Sequence, residues 1–245
     1  MKFIGIIPAR YQSTRFPGKP LAELKGKPMI QWVYENASEV LEEVVVATDD
    51  DRIYNAVKSF GGKAVHTSPT HQSGTDRCAE AARIVARDYR FDVVVNIQGD
   101  EPFIKPEQVE TIKSCFEEVD VQIATLVKKI ESPEELFNPN RPMVVLDNNN
   151  NALYFSRSTI PYLRGEEKEA WFGKHNFWAH IGMYAFRSAV LQEITCLQQT
   201  PLELAESLEQ LRWLENGYKI KAAETHFQSV GIDTPEDLEA ALQLF

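Results

Sequence analysis

The chain has 245 residues, 43% apolar and 25% charged, which supplies the core of one large soluble domain. Its net charge of -10 excludes general nucleic-acid binding, because a phosphate backbone would repel it. Any anionic ligand must therefore be held by a local basic cluster.

The three cysteines, Cys78, Cys115 and Cys196, are scattered and form no CxxC pair, so they predict reduced thiols and neither a disulfide frame nor a zinc site. The apolar run at 3–8 is too short for a signal peptide or a membrane span, and the expected location is the cytoplasm.

Short β-branched runs alternate with amphipathic helical patterns, which predicts an α/β fold with a mostly parallel, helix-covered sheet. Strands are expected at 3–8, 44–48, 63–66, 93–98 and 121–126, with 93–98 the most apolar and hence central. Helices are expected at 29–37, at 52–60 stopped by Gly61-Gly62, at 75–86 with Thr75 as N-cap, and at 106–116. From about 128 to 185 the helical period is lost and Asn, Pro and aromatics accumulate. Strands at 143–146 and 153–155 flank an Asn-rich turn, and the segment reads as a β-rich lobe inserted in one domain spanning 1–245. A helix at 203–215, a strand at 219–223 and a final helix capped by Thr234 complete the chain.

The first strand runs into Pro8-Ala9-Arg10-Tyr11-Gln12-Ser13-Thr14-Arg15-Phe16-Pro17-Gly18-Lys19. Arg10, Arg15 and Lys19 put three cations in one loop of an acidic chain, at the strand end where open α/β sheets bind ligands. Such a focus suits a triphosphate, with Ser13 and Thr14 as further donors. No GxGxxG follows a strand and no GxxxxGK[ST] occurs, which disfavours dinucleotide dehydrogenases and P-loop NTPases.

Asp100, at the end of the 93–98 run, is a hard oxygen ligand suited to magnesium beside phosphate oxygens. Asp233 reads equally as a second ligand or as a carboxylate on a helix dipole. Asp49, Asp50 and Asp51 read mainly as turn and helix-start residues. The five histidines show no metal-ligand spacing, and no GxSxG elbow is present. The chemistry indicated is displacement at phosphorus, driven by positioning and charge neutralisation.

The first loop resembles the signature of sugar nucleotidyltransferases. With Ser73-Gly74-Thr75-Asp76-Arg77, Asn96 to Pro102, Tyr154 to Pro161, His180 to Tyr184 and Gly231 to Leu238, the chain resembles the 3-deoxy-D-manno-octulosonate (Kdo) cytidylyltransferases along essentially its whole length. The resemblance implies a three-layer nucleotide-diphospho-sugar transferase-like (Rossmann-like) fold whose lobe forms a homodimer. It implies CTP, Kdo and Mg2+, with CMP-Kdo feeding lipopolysaccharide synthesis in a Gram-negative cytoplasm. Nucleic acid and membrane are not among the expected partners.

By the same resemblance, Arg10, Ser13, Arg15 and Lys19 would grip the triphosphate. Pro8, Ala9, Ser73, Thr75, Arg77 and Gln98 would surround the cytidine or the adjoining sugar. Asp100 and Asp233 would hold magnesium, and Arg10, Lys19, Asp100 and Asp233 would carry the chemistry. Gln98, Arg157, Arg164, His180, Tyr184, Glu209 and Gln210 would face the sugar acid. From the residues alone, Glu209 and Gln210 read first as a solvated helix face, and His180 and Tyr184 as core; the resemblance reverses that order. The choice between Kdo, its 8-amino relative and sialic acid stays open at this level. So do a glycosyltransferase using Asp49-Asp50-Asp51 and a nucleotide-binding protein without chemistry.

Overall fold

The strands Val44–Thr48 and Val93–Asn96 are buried at every residue, so both of their faces are covered. This computed structural model describes residues 1–228 and 231–244, and within them the chain forms two compact units.

The first unit contains residues 1–110, 183–195 and the described part of 229–245. Phe3–Ala9 is its centre, pairing in parallel with Val44–Thr48 on one side and Val93–Asn96 on the other. Ala64–His66 extends the sheet in parallel beyond Val44–Thr48. The end of the strand Trp178–Arg187 pairs antiparallel with Val93–Asn96, with Tyr184 opposite Asn96. The sheet is therefore mixed and mostly parallel, as the alternating pattern predicts.

Expected and observed elements agree closely at Met29–Ser38, Val44–Thr48, Asp51–Ser59 and Pro235–Ala241. One cap differs. The helix Gly74–Val85 starts earlier than expected, because Ser73 and not Thr75 is its N-cap. Ser73 accepts the Asp76 amide, Asp76 accepts the Ser73 amide, and Thr75 is buried in the first turn. The helix Ser188–Ile194 was not evident from the sequence pattern.

The second unit contains residues 111–182 and 196–228. Met143–Leu146 and Ala152–Ser156 form the expected antiparallel hairpin. Asp147 sets its turn by accepting the amides of Asn149 and Asn151. Ile220–Glu224 pairs in parallel with Ile123–Lys129, which brings chain from both sides of the expected 128–185 segment into this unit.

The expected helix at 203–215 is two helices, Pro201–Glu206 and Gln210–Glu215. Ser207 separates them in the left-handed region, at φ 51°. In the sequence Leu204, Leu208 and Leu211 keep helical spacing across the break, so periodicity alone does not reveal it, although Leu204 is exposed while Leu208 and Leu211 are buried.

Candidate active site

The basic loop is built around Gly18 and Tyr11. Gly18 adopts φ +74° and donates its amide to the Tyr11 carbonyl at 2.8 Å. A Cβ there would lie 3.1 Å from the Tyr11 ring, so glycine suits both the torsion and the contact. The Tyr11 ring also carries the Arg52 guanidinium, 3.2 Å from the centroid, itself fixed on Asp50 at 2.6 Å. Asp50 is the N-cap of its helix, in keeping with a turn and helix-start role for this acidic run.

At the strand ends of the first unit the loop borders an open cleft of about 430 Å³. Pro8, Ala9, Arg10, Ser13, Arg15, Lys19, Gln98, Asp100 and Asp233 all line it, with Gln12, Thr14, Gly74 and Gly99. Gly74 and Gly99 were not singled out from sequence, although each lies inside a motif that was. Gly99 runs under the first strand, where a Cβ would meet the Pro8 carbonyl at 2.9 Å.

Lys19 links the two acidic residues. Its Nζ donates to Asp100 Oδ2 at 2.7 Å and to Asp233 Oδ1 at 3.0 Å, and Arg15 Nη2 reaches Asp233 Oδ2 at 2.9 Å. Burial alone would lower the Lys19 pKa, but the two carboxylates outweigh it and the net shift is upward. Asp233 is brought to Asp100 by the backbone, since the Ile232 amide donates to the Asp100 carbonyl at 2.9 Å.

Two carboxylate oxygens thus converge on a single cation. A hard donor pair of this kind fits magnesium, which takes one or two carboxylates and completes its shell with water and phosphate. Among the described residues no group of three or more His, Cys, Asp or Glu offers a fuller protein cage.

Three residues expected near the nucleoside, Ser73, Thr75 and Arg77, are not among those that line the cleft, although Gly74 between them is. Ser73 is the cap and Thr75 is buried. Arg77 is fully buried, donating to Thr67 Oγ1 at 2.6 Å with Asp49 Oδ1 3.2 Å away. Its Nε and Nη2 have no hydrogen-bond partner among the described residues, and burial lowers its pKa.

Tyr184 belongs to the first unit, where it is buried and stacked on Phe186 at 5.8 Å. Arg157, Arg164, His180, Glu209 and Gln210 belong to the second unit. Arg157 donates to the carbonyls of Glu206 and Ser207 at the end of the Pro201–Glu206 helix, at 2.8 and 3.2 Å. Arg164 is exposed.

His180 Nε2 lies 3.0 Å from Thr125 Oγ1, its ring meets the edge of Phe155 at 5.1 Å, and burial lowers its pKa to about 3. Glu209 lies 3.8 Å from Arg212. Gln210 is 5% exposed, and its amide nitrogen has no hydrogen-bond partner among the described residues. A buried amide with spare donors is what a polyhydroxylated ligand would satisfy.

A family model described as cytidylyltransferase matches residues 4–220. The 3-deoxy-manno-octulosonate cytidylyltransferase of Parabacteroides distasonis is 64% identical, over 99% of this chain and 97% of its own. The chain belongs to the 3-deoxy-manno-octulosonate cytidylyltransferase family. A second relative of that name, from Bacteroides thetaiotaomicron, is 60% identical over 98% of this chain and 97% of its own.

Among solved structures, CMP:2-keto-3-deoxy-manno-octonic acid synthetase complexed with CTP matches with a TM-score of 0.90 at 44% identity. The match covers 100% of this chain and 98% of that one. The 4-diphosphocytidyl-2C-methyl-D-erythritol synthase of Anaerococcus prevotii shares the fold, at 14% identity and a TM-score of 0.61 over 99% and 98% of the two chains. The family thus has the nucleotidyltransferase fold that the first loop suggests, and this member is a nucleotidyltransferase.

Proposed function

We propose that this enzyme transfers the cytidylyl group of CTP to Kdo, releasing pyrophosphate. The observation that carries the reading is the cleft of Arg10, Arg15 and Lys19 facing Asp100 and Asp233, in a chain of this family. The anomeric hydroxyl oxygen of Kdo attacks the α-phosphorus. The bond from that phosphorus to the oxygen bridging the β-phosphorus breaks, and the hydroxyl proton passes to solvent.

Arg10, Ser13, Arg15 and Lys19 bind the triphosphate and meet the charge that builds on departing pyrophosphate. Pro8, Ala9, Gln98 and the Ser73–Arg77 turn form the nucleoside side, with Gln98 also next to the sugar. Arg157 and Arg164 pair with the Kdo carboxylate, while His180, Tyr184, Glu209 and Gln210 serve its hydroxyls. His180 acts as a neutral ring, since its pKa of about 3 leaves it uncharged near pH 7. Asp100 and Asp233 would hold Mg2+, which would neutralise phosphate charge and acidify the attacking hydroxyl.

The enzyme works as a homodimer in the cytoplasm, and CMP-Kdo supplies lipopolysaccharide assembly. Two observations support this setting. No helix among the described residues is long and apolar enough to cross a membrane. In the second unit the exposed Tyr162 and Phe137 pack on Trp171 at 5.1 and 6.3 Å, an apolar face suited to a second copy.

The test is pyrophosphate release with CTP, Mg2+ and Kdo, set against reactions lacking one component. Release that needs all three supports the reading. Release only with 8-amino-Kdo or sialic acid changes the acceptor. CTP binding with no release for any sugar removes the transferase assignment.

A further inference from the structure

The cations of the cleft are held in two different ways. Lys19 and Arg15 lie on carboxylates. Arg10 donates instead to two backbone carbonyls, from Nη1 to His71 at 3.4 Å and from Nη2 to Gln72 at 3.3 Å. These are long bonds to neutral acceptors. They aim the exposed guanidinium without cancelling its charge, and they are easily surrendered to a phosphate.

The two carbonyls can aim Arg10 only if the segment carrying them is itself fixed. Glu80, on the helix Gly74–Val85, provides that. Its Oε2 accepts the Ser68 amide at 2.7 Å and meets His71 Nε2 at 2.5 Å. The Ser68 and Thr70 hydroxyls meet at 2.7 Å, and the Ser73 capping box closes the far end of the loop. Burial alone would raise the Glu80 pKa, but the Ser68 amide and the His71 ring bring it below the ordinary value, so the carboxylate is ionised. The His71 and Glu80 side chains are 17% and 26% exposed, and neither residue lines the cleft.

We propose that His71 and Glu80 are positioning residues for CTP: they pin the 68–73 loop so that its carbonyls present Arg10 to the incoming triphosphate. The proposal rests on the cytidylyl-transfer reading. Neither residue touches the nucleotide, and their whole effect on binding passes through Arg10. Arg10 is preorganised by neutral backbone, and the triphosphate gains a charged partner without first breaking an ion pair.

A double-mutant cycle tests this, with CTP affinity read by calorimetry without Kdo. Glu80→Ala weakens CTP binding about tenfold in the wild-type background, and by less than about twofold when Arg10→Ala is already present. His71→Ala gives the same pattern, and Glu80→Gln, which retains an acceptor, restores most of the affinity. Equal losses in both backgrounds, or no loss in either, overturn the proposal. If Glu80→Ala does not fold by circular dichroism, His71→Ala carries the cycle. A wild-type protein that binds no CTP sinks the functional reading itself, whereas CTP binding with additive losses sinks only the positioning role.

Discussion

Lys19 and Asp233 stand 214 positions apart in the chain and meet at 3.0 Å, with Asp100 on the same ammonium at 2.7 Å. The Lys19 ammonium and the two carboxylates therefore neutralise one another. On the proposed roles, a bound triphosphate would compete for Lys19 and a bound cation would compete for the two carboxylates.

Asp100→Asn separates the two halves. It removes one of the two carboxylates proposed to hold magnesium and frees Lys19 from its shortest ion pair. Pyrophosphate release is expected to fall by about 100-fold or more. CTP affinity measured in EDTA is expected to hold or improve, because Lys19 has lost a competitor. Near-normal turnover would remove Asp100 from the metal role.

Gly99→Ala tests the close approach of the two segments that form the cleft floor. The new Cβ would sit 2.9 Å from the Pro8 carbonyl oxygen, and backbone cannot swing aside as a side chain does. Overpacking of this kind costs about 1–3 kcal/mol. The expected outcome is a lower melting temperature together with weaker CTP binding, because Pro8 is moved. Gly74→Ala is the milder control, since its Cβ would only touch the Pro8 ring at 3.4 Å.

Much of this cleft was legible in the sequence because its parts are local. A cation-rich loop follows a buried strand, and Asp100 lies just past the end of a second one, so topology alone puts both at one edge of the sheet. Asp233 was not decidable in that way. Its place depends on the Ile232 amide reaching the Asp100 carbonyl, a pairing that leaves no pattern in either segment. Arg77 shows the opposite limit. It lies in a motif expected to face the nucleoside, yet its guanidinium is buried against Thr67 and Asp49, and sequence spacing carries no depth. The break at Ser207 escaped for a third reason: its apolar neighbours keep helical spacing while one backbone torsion changes sign.

Arg212 and Glu203 join the two helices that flank this break. They meet through two bonds of 2.8 and 2.6 Å, with side chains 9% and 7% exposed. Removing one partner strands a buried charge, so Arg212→Met is expected to cost about 3 kcal/mol, read from urea unfolding. The double variant Arg212→Met with Glu203→Leu is expected to recover a good part of that loss. The single variant should also raise the KM for Kdo, because Glu209 and Gln210 lie between the paired residues in the chain. An unchanged KM would separate this ion pair from the sugar side.

His180 links stability to pH with a definite sign. Burial lowers its folded-state pKa to about 3, against about 6.5 in an unfolded chain. Above about pH 6.5 both states hold a neutral ring, and the contribution to stability is fully present. As pH falls below that value the unfolded chain takes up a proton and the folded one does not, so the contribution is lost progressively toward pH 3. The urea midpoint of the wild type is therefore expected to drop between pH 7 and pH 5. His180→Gln starts lower at pH 7, having lost the ring that meets Phe155 and Thr125. It lacks the titrating group, so its midpoint falls less, and the gap between the two proteins narrows by pH 5. A constant gap across that interval would mean that the ring takes up its proton as readily in the folded chain as in the unfolded one. His180 could then meet the sugar acid as a cation, and its role beside the Kdo hydroxyls would have to be rewritten as a charge pairing.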